Sequence, residues 1–288
     1  MKIRLLLLAF LAGAFLNGIT AYGQDENENP ITPFQETRPI FLGPVIGFNK
    51  SMHGYNMRSL SRSTETAVPC PVFDGGTNSG FYVGMTYEHV LGEDYKNSNS
   101  SLIFKAVYST LPALTEVIGV PYNHSIEAGG QKIVRSEVMH SEEVKYEVVS
   151  FEALYKLNPI EGITFGLVAG PAFDYALTMN HTEKFILTSP LNAQFKKPEG
   201  FVENDPDRFQ GVIRYEDLDR TAVVADGEIP DASAFRVGLK LGAQYEYLMG
   251  RFYLVPHIFY NLGITNLSGK EDWRVSALQM GVDLRFSL

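Results

Sequence analysis

The side chains able to do chemistry are few and scattered. The six histidines are His53, His89, His124, His140, His181 and His257, and the one cysteine is Cys70. None stands in the His-x-x-x-His or Cys-x-x-Cys spacing that a metal centre needs. Cys70 lies in a Pro-Cys-Pro segment and has no second thiol in the chain to pair with. His124-Ser125 and His140-Ser141 offer a base beside a hydroxyl, the pairing that activates a nucleophile for acyl transfer. No nucleophile-elbow motif accompanies either pair, and Ser-His adjacency is common by chance. Asp217, Asp219, Thr221 and Glu228 fall at positions one, three, five and twelve of a calcium loop. Ala222 then occupies the sixth position, where the sharp turn wants glycine, so a solvated acidic loop is the better reading. The stretch Gly75 to Gly80 has no lysine and no helix pattern after it, which reads as a flexible lead into a strand and not as a phosphate cradle. No catalytic residue, metal or cofactor is therefore expected.

The charged residues are more informative, because many alternate with apolar ones. From Phe235 to Tyr247, Phe235, Val237, Leu239, Leu241, Ala243, Tyr245 and Tyr247 share one face, while Arg236, Lys240, Gln244 and Glu246 oppose them with glycines between. At the C-terminus Leu278, Met280, Val282, Leu284, Phe286 and Leu288 oppose Gln279, Gly281, Asp283, Arg285 and Ser287. Period two marks strands with one apolar face, and each run has the length of a tilted bilayer-crossing strand. Six more runs follow the pattern: 40–50, 80–91, 102–109, 146–157, 163–177 and 252–264. Ten charges then share the polar side: Glu88, Lys105, Glu152, Lys156, Asp174, Arg236, Lys240, Glu246, Asp283 and Arg285. The two signs balance, as a crowded interior of mutually paired ions requires.

The connections alternate in length. Those at 92–100, 158–162 and 249–251 are short, those at 52–77, 111–143 and 186–233 are long, and 266–272 is intermediate. Eight antiparallel strands in up-and-down order, with short turns at one end and long external loops at the other, fit this rhythm. At the N-terminus, Lys2 and Arg4 precede the apolar run from Leu5 to Phe15, and Ala21 and Gly23 stand at the −3 and −1 positions before Gln24. This predicts a cleaved signal peptide over 1–23, a periplasmic segment over 24–38 and a barrel over 39–288. The formal net charge is −9 and no basic cluster exists, so nucleic acid is not an expected partner.

Alternation alone does not say which face is wet. A soluble, lipocalin-like barrel would turn its apolar face inward around a ligand, and a membrane barrel would turn it outward. Aromatic residues gather near strand ends (Tyr245, Tyr247, Phe252, Tyr253, Trp273, Phe286), as interfacial girdles do, and the polar faces are rich in glycine and in both signs of charge. These features favour the membrane form.

Three segments carry a family resemblance: the opening strand Phe-Leu-Gly-Pro-Val-Ile-Gly-Phe (41–48), Val-Gly-Leu-Lys-Leu-Gly-Ala (237–243), and the final strand from Leu278 to Leu288. With the N-terminal address, they resemble the bacterial outer-membrane β-barrel family that includes OmpA-type and PorT-like barrels. The resemblance implies an outer-membrane location, contact with membrane lipid, and a C-terminal signal at Phe286 and Leu288 read by the barrel-insertion machinery. Leu288 departs from the commoner aromatic last residue. A non-enzymatic barrel with a filled polar lumen is the function implied, its external loops meeting an unknown partner, with secretion-associated work as one form. The alternatives are a lipid-modifying barrel enzyme and a secreted barrel carrying an apolar ligand.

Overall fold

A computed structural model describes residues 40–288, apart from 55–56, 59–71, 74, 93–97, 131, 161–162, 198, 205–211, 230, 251 and 269–271. The predicted signal peptide, the periplasmic segment and Cys70 lie outside the described residues. Alternating side chains favour extended chain, frequent glycine and proline disfavour helix, and every regular element described is a strand. Fifteen are present: β1 (Ile40–Gly54), β2 (Met57–Arg58), β3 (Val72–Phe73), β4 (Gly76–Val90), β5 (Ser100–Thr110), β6 (Ala113–Glu127), β7 (Ile133–Leu157), β8 (Phe165–Ser189), β9 (Ala193–Phe195), β10 (Arg214–Glu216), β11 (Thr221–Glu228), β12 (Phe235–Tyr245), β13 (Tyr247–Met249), β14 (Phe252–Gly263) and β15 (Arg274–Ser287).

Eight of them form a hydrogen-bonded ring. In order around it come β1, β4, β5, β7, β8, β12, β14 and β15, each antiparallel to the next, and β15 pairs back onto β1. Closure leaves no unpaired edge along these strands. The strand total corrects the expected eight, because segments 111–143 and 186–233 are not simple loops. Strands β7 and β8 run to 25 residues each, well past the ring; β6 pairs onto the far end of β7 and β11 onto that of β8, with β9 pairing on β6 and β10 on β11. The parts beyond the ring, 133–146 and 176–189, add about fourteen residues per strand, roughly 46 Å at about 3.3 Å per residue. Apolar periodicity persists there, and a core of its own follows. Val138, Phe185, Leu187, Ala193, Phe195, Ala222 and Val224 cluster between these strands.

The ring's two faces differ sharply. Outward residues are large, apolar and exposed, with Phe48 at 77% and Ile46, Phe151, Leu167, Leu241 and Met280 among them. Inward residues are buried and largely polar. The outer pattern also runs level from strand to strand. Phe48 pairs with Phe81, the Phe81 and Tyr108 rings lie 6.1 Å apart, Tyr108 pairs with Val149, Val149 with Tyr175, and Tyr175 with Phe235. One step nearer the extension the outward residues turn polar together. Lys50 pairs with Ser79, Thr110 with Glu147, and Glu147 with Thr178, while the Thr110 hydroxyl accepts from the Phe81 amide.

Candidate functional site: the ring interior and its external extension

Strand pairing aims alternate side chains of all eight ring strands inward, so residues distant in sequence meet. Arg285 (β15) is buried at the meeting point. Its guanidinium donates to Glu88 of β4, to Asp283 at 2.6 Å and to Gln244 of β12 at 3.1 Å. Lys156 (β7) bridges Glu88 at 2.5 Å and Glu246 at 2.6 Å. Lys105 (β5) donates to both Asp283 oxygens at 3.1 Å, with its ammonium 5.1 Å from the Phe259 ring centre. Lys240 (β12) pairs with Glu152 (β7) and lies 5.4 Å from the same ring centre. Arg236 and Asp174 form a separate pair at 2.5 Å, both side chains 0% exposed, and Arg236 also donates to the Val275 carbonyl at 2.5 Å. Nine of the ten named charges lie in strands. Glu246 instead follows the end of β12, with its side chain 16% exposed.

Two histidines are fixed by their partners. The Trp273 indole N–H donates to His53 Nδ1 at 3.2 Å, so Nε2 carries the proton and donates to the Leu111 carbonyl at 3.0 Å. His257 Nδ1 faces the Val255 carbonyl at 3.3 Å, which leaves Nε2 to accept from the Tyr82 hydroxyl at 2.7 Å. Glycines make room for Tyr82. A Cβ at Gly47 would fall 2.4 Å from the ring, and one at Gly281 would fall 2.2 Å from its hydroxyl. Placing Tyr82 opposite Phe81 and Val83 was already implicit in the alternation. Its contact with His257, 175 residues away, was not.

The interior is layered. Trp273, Tyr146, Leu111, Val144, Val148, Ile229, Leu267 and Val275 form an apolar cluster toward the extension, and the charged network lies toward the other end. Trp273 is 0% exposed within this cluster, which corrects its expected place in an outer aromatic girdle. The indole turns inward because His53 offers its N–H an acceptor there. Other aromatics do meet outside the ring, with Tyr245 and Tyr247 at 4.5 Å and Phe252 and Phe286 at 5.9 Å between ring centres.

The loop residues singled out for chemistry are dispersed. Ser125 is buried and bonds Ser136 at 2.7 Å and the Val134 carbonyl at 2.8 Å. His140 faces the inside of β7, and its neighbour Ser141 faces the other way. The His124 side chain lies outside the described residues, and no hydrogen bond joins His140 to Ser141 among them. Thr221 to Glu228 is strand β11, so the expected acidic loop is extended chain over the second half of the calcium-loop spacing. Asp217 accepts from the Thr221 hydroxyl at 2.9 Å and Asp219 pairs with Lys197 at 2.6 Å. Among the described residues no group of three metal-ligating side chains is placed to hold an ion. On the extension's outer surface, Arg214 bonds Glu216 and Asp226 at 2.8 Å each, which lowers both carboxyl pKa values and raises that of the guanidinium.

No protein-family model matches the chain, and no curated protein matches it. Among solved structures it is similar to the crystal structure of neisserial surface protein A, NspA. The TM-score is 0.33 and the identity 9%, over 86% of this chain and 97% of that one.

Proposed function

We propose that the chain is a non-enzymatic outer-membrane β-barrel whose eight ring strands span the bilayer around a filled lumen, with the β-extension projecting outside as a surface for a partner. One observation carries this reading: the ring is apolar outside and charged inside. In water, a continuous belt of exposed Phe, Ile, Leu and Tyr far exceeds the apolar patch a soluble monomer tolerates. In a bilayer the same belt is the favourable face, and the hydrogen-bonded ring satisfies every backbone group. About eleven residues per strand at a tilt near 40° give a band roughly 25 to 30 Å tall, close to the hydrocarbon thickness. The level change from aromatic to polar residues through Lys50, Ser79, Thr110, Glu147 and Thr178 supports an interface at that height.

The ten charges serve as a structural network that fills the lumen, since a narrow eight-strand interior holds side chains and little else. A carrier of an apolar ligand needs the opposite arrangement, an apolar interior. The signal peptide over 1–23, insertion through the signal at Phe286 and Leu288, contact with outer-membrane lipid and a partner for the extension belong to this reading. Secretion-associated work is one form it takes.

Fractionation with heat-modifiability tests it. The expressed mature chain stays with outer membranes through a carbonate wash and migrates faster unheated than boiled. Recovery in a soluble fraction, with mobility unchanged by boiling, would sink the reading.

A further inference from the structure

Between the apolar cluster that caps the ring and the core of the extension lies a thin buried layer of polar groups. It is built on the two strands that join the parts. On β7 it holds His140 and Glu142, and on β8 His181 and Glu183, all buried on the inner face. Glu142 lies directly across from Glu183, Val144 across from His181 and His140 across from Phe185. His181 Nδ1 is 3.8 Å from Glu142. His140 is 0% exposed, its ring centre is 4.1 Å from that of Phe185, and Val117 of β6 is its partner on the other side. Neither of its ring nitrogens has a hydrogen-bond partner among the described residues. On β11 the inner residues Thr221 to Val224 carry no charge, Asp226 lies further along that strand, and among the described residues Tyr122 is the titratable group that β6 directs toward the extension's core.

We propose that this layer is an acid-sensitive joint, at which protonation of His140 frees the extension from its packed state while the ring stays closed. A neutral imidazole is tolerated between Phe185 and Val117, but an imidazolium there has lost its hydration without gaining a partner. Burial accordingly holds His140 down to about 4 from the usual 6.5, and it also lowers His181. The opened segment restores the ordinary value and so takes up a proton that the packed segment refuses. Acid therefore favours opening as pH falls below 6.5, and the effect levels off below about 4. From His140 alone, the opening equilibrium rises about 30-fold between pH 7.5 and pH 5.

The joint is independent of what surrounds the ring, so the test distinguishes its failure from failure of the membrane reading. Amide hydrogen exchange of the full chain, corrected for intrinsic rates, is compared at pH 7.5 and pH 5. Amides of 136–142 and 181–187 exchange about 30-fold faster at the lower pH, those of β1, β4, β5, β12, β14 and β15 do not, and His140→Phe removes the difference. A carbon-13 titration of His140 in the unsubstituted protein gives a second readout, in which the imidazole stays neutral at pH 5.5. An unchanged extension at pH 5, a difference that survives His140→Phe, or a His140 titrating near 6.5 would each overturn the proposal.

Discussion

Asp174 and Arg236 show how unequal the ten lumen charges are. Both are sealed from solvent, and their single ion pair joins adjacent strands β8 and β12. Removing one partner leaves a buried ion without compensation, whereas removing both leaves only a packing defect. Asp174→Asn is expected to cost about 3 to 5 kcal/mol of unfolding free energy. The double variant Asp174→Leu with Arg236→Met should recover most of that in urea titrations of the refolded protein. A double variant as unstable as the single one would show that the pair does more than satisfy itself. Glu246 lies nearer solvent, with its side chain 16% exposed, and its pairing with Lys156 is worth correspondingly less. Close approach governs a second residue. Gly47 faces both the Tyr82 ring and the Met280 carbonyl, at 2.4 and 2.3 Å from where a Cβ would stand. Gly47→Ala should destabilise by about 1 to 3 kcal/mol through overpacking, read as a lowered unfolding temperature. An unchanged temperature would show that the ring and carbonyl yield freely.

Among the elements, the extension is held differently from the ring. The ring is closed by strand pairing along its whole height, whereas the extension's short strands β9 and β10 depend on the turn at 217–220. Asp217, Leu218 and Asp219 all adopt left-handed φ there, of 52°, 56° and 65°, which is uncommon for leucine. Arg220 secures that turn to the facing segment. Its guanidinium donates to the carbonyls of Leu187 at 2.7 Å, Ala193 at 3.2 Å and Pro190 at 3.4 Å, and also to that of Leu191. Arg220→Ala orphans several of these acceptors at once, so local opening of 187–195 should rise at least about tenfold in hydrogen exchange. Ring amides should be unaffected. Equal loosening of both parts would mean that ring and extension unfold as one unit.

At the scale of the whole molecule, the layered interior argues against a water path. The Trp273 cluster closes one end, and ion pairs that cross the interior, such as Lys105 with Asp283, fill the rest. Purified protein in planar lipid bilayers is accordingly expected to show no stepwise ion conductance, and discrete open levels would refute the filled lumen. Polarity runs opposite to that of a soluble domain, with the apolar side chains of the ring outside and its charges inside, and the extension has a small core of its own.

Much of this was legible in residue order. Period-two alternation sorted the residues of the ring strands onto two faces, and the aromatic and glycine pattern chose which of them turns outward; Val148 and Leu154 fall inside although their side chains are apolar. It could do so because strand geometry alone sends successive side chains to opposite faces. The charge balance of the ten residues was equally readable, being a property of composition on one face. Tertiary structure alone decided which charge meets which, because partners such as Lys105 and Asp283 lie 178 residues apart and are joined only when β15 closes onto β1. It also turned Trp273 inward and made strands of the acidic segment 221–228. Local sequence rules favoured a loop there, but pairing with β8 and burial of Ala222 and Val224 outweighed them. Long-range pairing and shared burial are cooperative and belong to no single window of sequence, so the extension and its buried histidine layer became visible only in the folded chain.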